Sequence, residues 1–159
     1  MKFLRIDVET YSSADLPKCG VARYVQSSDF EILLLAYAYD DEEVKVIDLA
    51  QGEDLPPSVR FDLTNPKVIK TAFNAAFEIA TISRHFDIKL DPSQWQCTSV
   101  AALYLGLPNS LYAVTKVLKL GDEDQKQSNG MALIRYFSMP CKPSKANNFR
   151  TRNLPQHDP

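Results

Sequence analysis

Three predicted strands come before the first long predicted helix, and this order limits the folds that are open to the chain. Residues 3–9 alternate as a β-strand requires, residues 30–39 form a mostly apolar run, and residues 44–49 alternate in part. The acidic run 40–43 predicts a hairpin turn between the last two strands. We therefore expect a three-stranded antiparallel meander, with residues 10–29 forming a long loop that holds at most a short helical turn.

The rest of the chain alternates strands with helices. We expect strands at residues 68–73 and 94–97, and a polar loop at 121–129. Helices are expected at 56–63, 75–86, 98–105, 110–120 and 130–137. Thr98 and Ser110 are the predicted N-caps of the helices at 98–105 and 110–120. A meander followed by β-α-β-α is the element order of an α/β, ribonuclease H-like mixed sheet with helices on its faces. We expect one domain over residues 1–159.

Composition fits a globular domain and gives no overall attraction to polyanions. The 159 residues are 45% hydrophobic and 24% charged, with a net charge of -2. The charge is uneven, because the stretch from residue 135 to residue 152 holds five basic residues and no acidic one: Arg135, Lys142, Lys145, Arg150 and Arg152. This stretch either contacts phosphates or is a solvated, mobile tail.

The cysteines and the apolar runs indicate the cellular compartment of the protein. Cys19, Cys97 and Cys141 are odd in number and widely spaced, which predicts reduced thiols and argues against a zinc site. No signal peptide precedes the first strand, and no apolar run is long enough to span a membrane. We expect a cytoplasmic protein with no membrane partner.

Two acidic residues end the first strand. Asp7 and Glu9 are two residues apart, so their side chains are expected on one face. Carboxylates held this close repel each other unless a cation lies between them, and Mg²⁺ prefers such oxygen ligands. The alternative is a strand end with two solvated acids. A second polar cluster, Asn74, Phe77 and Glu78, follows the fourth strand.

Together these residues resemble the motifs of the DEDD (DnaQ-like) 3′-5′ exonucleases. Asp7 and Glu9 match the first motif, Asp-x-Glu. Asn74, Phe77 and Glu78 match the second, Asn-x(2-3)-Phe/Tyr-Asp, with glutamate in place of the usual aspartate. Glutamate can still serve a metal through water, but it reaches one methylene further.

The resemblance covers nearly the whole chain. Residues 7–13, 18–21, 73–78 and 148–155 are similar to the proofreading region of family A DNA polymerases from phages and prophages. The resemblance implies removal of 3′-terminal nucleotides from single-stranded or primer DNA by two divalent ions, Mg²⁺ or Mn²⁺. It also implies a polymerase domain in the parent chain.

The same resemblance implies residue roles. Asp7 would bridge both ions, Glu9 would bind the ion beside the nucleophile, and Glu78 would hold the second ion through water. Thr10 would offer its backbone to the terminal nucleotide. Asn74 and Phe77 would lie on the substrate side, although Asn74 could instead cap the following helix and Phe77 could belong to the core.

The third family motif, Tyr-x-x-x-Asp or His-x(4)-Asp, has no match after Glu78. Tyrosines with the right spacing to an aspartate, Tyr11 and Tyr37, precede the second motif and are read as coincidence. We expect the chain to stop just before its last catalytic helix and to be weakly active or inactive alone. Two alternatives remain: a non-catalytic nucleic-acid-binding scaffold, and a stand-alone RNA exonuclease.

Other candidates carry less weight. The two histidines, His85 and His157, are expected at the surface rather than as ligands. The acidic cluster Asp122, Glu123 and Asp124 is expected to be a solvated turn. Trp95 is expected in the core rather than as a stacking platform.

Overall fold

A computed structural model describes residues 2–120 and 130–157 and shows one five-stranded mixed sheet in the order β3-β2-β1-β4-β5. The strands are β1 (Lys2–Tyr11), β2 (Glu31–Tyr39), β3 (Lys45–Asp48), β4 (Val68–Ala72) and β5 (Trp95–Cys97). The β1–β2 and β2–β3 pairs are antiparallel, whereas β4 runs parallel to both β1 and β5. The predicted meander and the mixed, ribonuclease H-like sheet are confirmed.

Six α-helices lie within the described residues. They are α1 (Leu16–Tyr24), α2 (Pro57–Asp62), α3 (Ala75–Phe86), α4 (Thr98–Tyr104), α5 (Leu111–Val117) and α6 (Gly130–Phe137). The bounds of α3 and α6 agree with the sequence-based prediction. Ser110 caps α5 as expected, because its side chain accepts a hydrogen bond from the Ala113 N–H. The predicted loop 121–129, with its acidic cluster, lies outside the described residues.

Helix α1 is the main departure from the predicted elements, because a long loop was expected there. The helix is kinked at Gly20, whose φ of 73° and ψ of 165° are not helical. This interruption breaks the 3.6-residue periodicity from which a helix is recognised in sequence. Tyr24, at the end of the helix, is buried with only 5% of its surface exposed, and its ring packs against Phe30 and Phe77.

The cap of α4 also differs from the prediction. Cys97 occupies the N-cap position, and Thr98 is the first helical residue. The Thr98 hydroxyl donates instead to the carbonyl of Ala72, 3.1 Å away at the end of β4. The Thr98 hydroxyl, which was expected to cap the helix, therefore makes a tertiary hydrogen bond to the end of β4 instead.

The alternation of β1 decides which side chains enter the core. Leu4, Ile6 and Val8 are buried and pack with residues of β2, α2 and α3. Asp7 and Glu9 lie on the opposite face of the same strand, with regular pairing to β2 through Glu9 and a register shift only after it. The predicted common face for these two acids is therefore present.

The end of the basic C-terminal stretch contacts the rest of the domain, whereas Arg135, Lys142 and Lys145 are exposed. Arg152 pairs with Glu31 of β2 and lies over the ring of Tyr11. The Asn153 side-chain amide donates to the Tyr136 carbonyl of α6 at 2.9 Å. In residues 2–120 and 130–157, no helix is long and apolar enough to cross a membrane.

Candidate acidic site

The carboxyl ends of three parallel strands bring the candidate residues to one edge of the sheet. Near this edge, β1 carries Asp7 and Glu9, and β5 ends at Cys97. The chain leaves β4 and enters α3, so that Glu78 falls in the first turn of this helix. Open α/β sheets commonly bind ligands at this edge.

Glu78 is the most unusual of the acids because it is almost fully buried, with 3% of its surface exposed. Its Oε2 atom is buried and has no hydrogen-bond partner among the described residues. Burial raises the pKa of Glu78 to about 8, and the negative charges of Asp7 and Cys97 add to the rise. The site therefore holds a carboxyl group whose ionised form lacks a compensating positive charge.

Asp7 and Glu9 face different surroundings although they share a face. Asp7 is exposed, and its charge acts on Glu78. Glu9 is half-buried; burial raises the pKa of Tyr24, and the charge of Glu9 contributes to that rise. Within the described parts of the chain, no three His, Cys, Asp or Glu side chains are grouped to hold a metal ion. Asp7, Glu9 and Glu78, the expected metal ligands, therefore do not form such a group in these side-chain positions.

The three residues expected on the substrate side lie in different environments. Thr10 is buried, with its Oγ1 2.9 Å from the hydroxyl of Tyr24. Asn74 is exposed at the N-cap of α3 but makes no side-chain capping bond, and its φ of 77° is left-handed. Phe77 is half-buried at the edge of the core, 6.3 Å from the Tyr24 ring between centroids. Trp95 is buried in the core, as expected.

A cavity of about 430 Å³ lies beside Glu9. Its walls include Leu34 of β2, Leu133 and Phe137 of α6, and the C-terminal residues 152–155. This volume falls within the range of small-molecule sites in proteins. Sequence reasoning missed the cavity because α6 is more than a hundred residues from β1, and no local pattern indicates that the two meet.

Cys97 is a second feature that the sequence reasoning missed. All three cysteines are free thiols, as predicted. Burial alone would raise the pKa of Cys97, but hydrogen bonds from Ser99 and from the backbone N–H groups of Val100, Ala75 and Asn74 outweigh it and lower the pKa to about 7. The position of Cys97 at the end of a predicted strand was the feature of the sequence that could have indicated its special environment.

Each of the two histidines makes a hydrogen bond to the backbone. His85 is half-buried rather than at the surface, and its Nδ1 accepts a hydrogen bond from the Ile32 N–H at 3.0 Å. The Nδ1 of His157 accepts one from the Leu154 N–H at 3.0 Å. The Nδ1 atoms of both histidines therefore accept hydrogen bonds from backbone N–H groups.

Comparison with known proteins gives one close sequence relative. The chain is 60% identical over 159 residues to a DNA polymerase of Bacillus phage SP02, and this match covers 100% of the chain. The chain spans 24% of the length of that polymerase, which is about a quarter. No protein-family model matches the chain.

Solved structures with a similar fold include one described as a nuclease, which superposes with a TM-score of 0.57 at 20% identity and covers 79% of this chain and 55% of that one. Brucella melitensis NrnC with bound Mg²⁺ superposes with a TM-score of 0.57 at 17% identity, covering 79% of this chain and 56% of that one. The EXO domain of Aedes aegypti Nibbler superposes with a TM-score of 0.50 at 13% identity, covering 82% and 63%. At these identities the likeness shows the fold alone, which is a mixed sheet of the ribonuclease H-like kind.

Proposed function

We propose that this chain is a 3′-5′ proofreading exonuclease domain that acts on DNA. The premise is that the chain is homologous over its whole length to part of a phage DNA polymerase and has the fold of DnaQ-like exonucleases. Its partners are then the 3′ end of single-stranded or primer DNA and a polymerase domain in the parent chain. Asp7, Glu9 and Glu78 are the proposed ligands of two divalent ions, Mg²⁺ or Mn²⁺.

The observation that carries this proposal is the unpartnered Oε2 of Glu78. A carboxylate with 3% exposure is costly unless a positive charge or hydrogen-bond donors compensate for the lost water. The nearby charge of Asp7 increases that cost. A divalent cation between the two would reverse both effects, and carboxylate oxygens are the ligands that Mg²⁺ and Mn²⁺ prefer. The residues present therefore fit such ions.

We propose that local movement of the side chains forms this site. Asp7 and Glu9 lie on one face of β1, and Glu78 lies in the first turn of α3 at the same edge. Because they are not grouped as metal ligands in the described positions, rotation of these side chains toward each other is part of the proposal. NrnC, which has this fold, has been solved with bound Mg²⁺.

The proposed chemistry is hydrolysis of the terminal phosphodiester bond. The bound ions would supply a water of lowered pKa and a positive charge for the leaving 3′ oxygen. Asp7 would hold both ions, Glu9 the ion beside the attacking water, and Glu78 the other. The hydrogen bond between Thr10 and Tyr24 holds the backbone that follows Glu9, and the cavity beside Glu9 offers space for the terminal nucleotide.

A fourth carboxylate is missing from this chain. The sequence has no Tyr-x-x-x-Asp or His-x(4)-Asp after Glu78. An ion that lacks one charged ligand binds more weakly, because water must replace the carboxylate. We therefore assign full activity to a longer chain that includes such a motif, and weak or no activity to residues 1–159 alone.

The test is digestion of a 5′-labelled DNA oligonucleotide in Mn²⁺ or Mg²⁺ by two proteins. One is this chain, and the other is the chain extended by about 20–40 residues of its parent reading frame, the length of a helix with its connector. Only the extended protein should shorten the DNA from its 3′ end. Equal activity of the two lengths would refute the role given to the third motif.

Variants of the extended protein test the assigned residues. Asp7→Asn and Glu78→Gln should lower the rate by about 100-fold or more, because each removes a charged ligand. Glu43→Gln, in the exposed hairpin turn, is the matched control for loss of one negative charge. If Asp7→Asn or Glu78→Gln kept the control's rate, the site would be assigned wrongly.

The same assay separates the two alternatives. An RNA exonuclease would digest an RNA oligonucleotide of the same sequence faster than the DNA, through contacts to the 2′ hydroxyl. A non-catalytic scaffold would bind DNA but release no nucleotide at either length, with or without divalent ions.

A further inference from the structure

The loop of residues 141–151 joins two walls of the cavity beside Glu9. The end of α6 lines one side of this cavity, and residues 152–155 line another. The ends of the loop are held together, because the Cys141 N–H donates to the carbonyl of Thr151 at 2.8 Å. The loop therefore begins and ends at the rim of the cavity, on the side of the domain that carries the acidic residues.

Phe149 is the aromatic residue of this loop, and 65% of its surface is exposed. Its φ of 57° is left-handed, as is the φ of 54° at Asn148, and this conformation is costly for an aromatic L-residue. Hydrogen bonds within the loop hold it in place. The Phe149 N–H donates to the Ser144 carbonyl at 2.8 Å, and the Ser144 N–H donates to the Asn147 side chain at 2.8 Å. An exposed ring on a strained backbone indicates a role in binding, because neither feature stabilises the fold.

The loop also carries positive charge. The sequence has no acidic residue from position 135 to position 152. Arg150 and Arg152 are engaged in contacts within the domain. Lys142 and Lys145 are exposed, and none of the ion pairs in the described parts of the chain involves either of them. Two ammonium groups in the same loop as an exposed ring form a surface that is complementary to a polyanion with aromatic bases.

We propose that the 141–151 loop is a docking site for single-stranded DNA. The ring of Phe149 stacks on an unpaired base, and Lys142 and Lys145 contact the phosphates beside it. Exposed aromatic rings within a basic surface bind single strands in this way, with little preference for base sequence. The inference rests on the proposed function for the path of the strand, whose 3′ end lies at the acidic site and whose upstream nucleotides reach the loop. Binding at the loop requires neither the metal ions nor the third motif.

Fluorescence anisotropy tests the stacking contact, with this chain and a labelled oligothymidylate of about 12 nucleotides in EDTA. Phe149→Ala should weaken binding by about 5- to 100-fold. Phe61→Ala is the matched control, because Phe61 is 67% exposed on α2, whose Asp62 pairs with Lys2 at the start of β1, away from the loop. Equal affinities of the two variants would overturn the proposal.

Two further substitutions distinguish stacking from simple apolar contact. Phe149→Trp keeps a flat ring and should retain the affinity, whereas Phe149→Leu keeps an apolar side chain and should weaken binding as much as alanine does. Because the ring is exposed, we expect all three variants to keep the melting temperature of the unmodified sequence. Full affinity of the leucine variant would refute stacking. Equal weakening by Phe149→Ala for a DNA duplex of the same length would also refute it, since paired bases are not free to stack on the ring.

The salt dependence of binding tests the two lysines. Lys142→Gln combined with Lys145→Gln should reduce the slope of log affinity against log salt concentration by about 1.4, because each phosphate contact of a single strand contributes about 0.7. Lys67→Gln combined with Lys89→Gln is the matched control, since these exposed lysines precede β4 and β5, at the opposite edge of the sheet. An unchanged slope in the loop variant would refute the phosphate contacts.

Failure of the docking loop and failure of the exonuclease proposal give different results. If the unmodified chain does not bind the oligonucleotide in EDTA, the docking loop is refuted, and digestion by the extended protein still decides the exonuclease activity. If Phe149→Ala weakens binding but the extended protein releases no nucleotide, the docking loop is supported and the exonuclease activity is refuted.

Discussion

The guanidinium of Arg152 lies over the ring of Tyr11, with its Cζ 3.9 Å from the ring centroid. The same guanidinium pairs with Glu31, the residue opposite Tyr11 in the β1–β2 ladder. One C-terminal side chain therefore joins the ends of two strands. It also holds residues 152–155 as a wall of the cavity beside Glu9.

Replacing Arg152 should destabilise the domain. Arg152→Ala removes a partly buried ion pair and a cation–π contact, and we expect the free energy of unfolding to fall by about 1–2 kcal/mol. Urea denaturation measures the change, with Arg135→Ala, at an exposed position on α6, as the control. Equal stability of the two variants would show that the Arg152 contacts do not hold the C-terminal segment.

The hydroxyl of Tyr24 is expected to stabilise the backbone next to the acidic pair. Tyr24→Phe removes the hydrogen bond to Thr10, which is buried with 5% exposure, and should cost about 1–2 kcal/mol. Tyr104→Phe removes a hydroxyl from a side chain that is 89% exposed and should cost almost nothing. Thermal unfolding of both variants measures the difference, and equal melting temperatures would contradict the prediction.

Variants of Asn74 separate its backbone role from a role in substrate binding. Its φ of 77° is costly for alanine but not for glycine, so Asn74→Ala should lose about 1 kcal/mol of stability, whereas Asn74→Gly should change it little. Urea denaturation tests this difference. If the glycine variant of the extended protein also binds single-stranded DNA as well as the unmodified sequence, the side chain of Asn74 does not contact the substrate.

The stability of the domain should fall as pH rises through the range in which Glu78 titrates. The pKa of this carboxyl is about 8 in the fold, against an ordinary value of 4.5, so the folded state binds more protons than the unfolded state between these values. Stability from the protonated form is therefore complete below the ordinary pKa and is lost as pH rises toward the folded pKa.

Glu78→Gln should remove this pH dependence, because an amide has no proton to lose. At about pH 9 without divalent ions, the variant should be more stable than the unmodified sequence by about 2–4 kcal/mol, and the difference should shrink at about pH 4.5. Urea denaturation across this pH range measures it, with Glu43→Gln as the control for loss of a surface charge. Parallel pH profiles for the unmodified sequence and Glu78→Gln would contradict the prediction.

The sequence by itself determined the sheet and most helices, because these depend on local periodicity. The alternation of Leu4, Ile6 and Val8 indicated both β1 and the common face of Asp7 and Glu9, which the structure shows. The apolar spacing of residues 75–86 indicated α3 and therefore the place of Glu78. Helix α1 was missed because Gly20 interrupts its periodicity.

Only the tertiary structure decided the surroundings of these residues, because burial, charge and hydrogen bonding depend on segments far apart in the chain. The pKa of Glu78 is raised mainly by burial at the start of α3, and the charge of Asp7 on β1 adds to the rise. The donors around Cys97 come from the start of α3 and from residues that follow β5. The contact of Arg152 with Tyr11 joins residues at opposite ends of the chain, which no local pattern specifies.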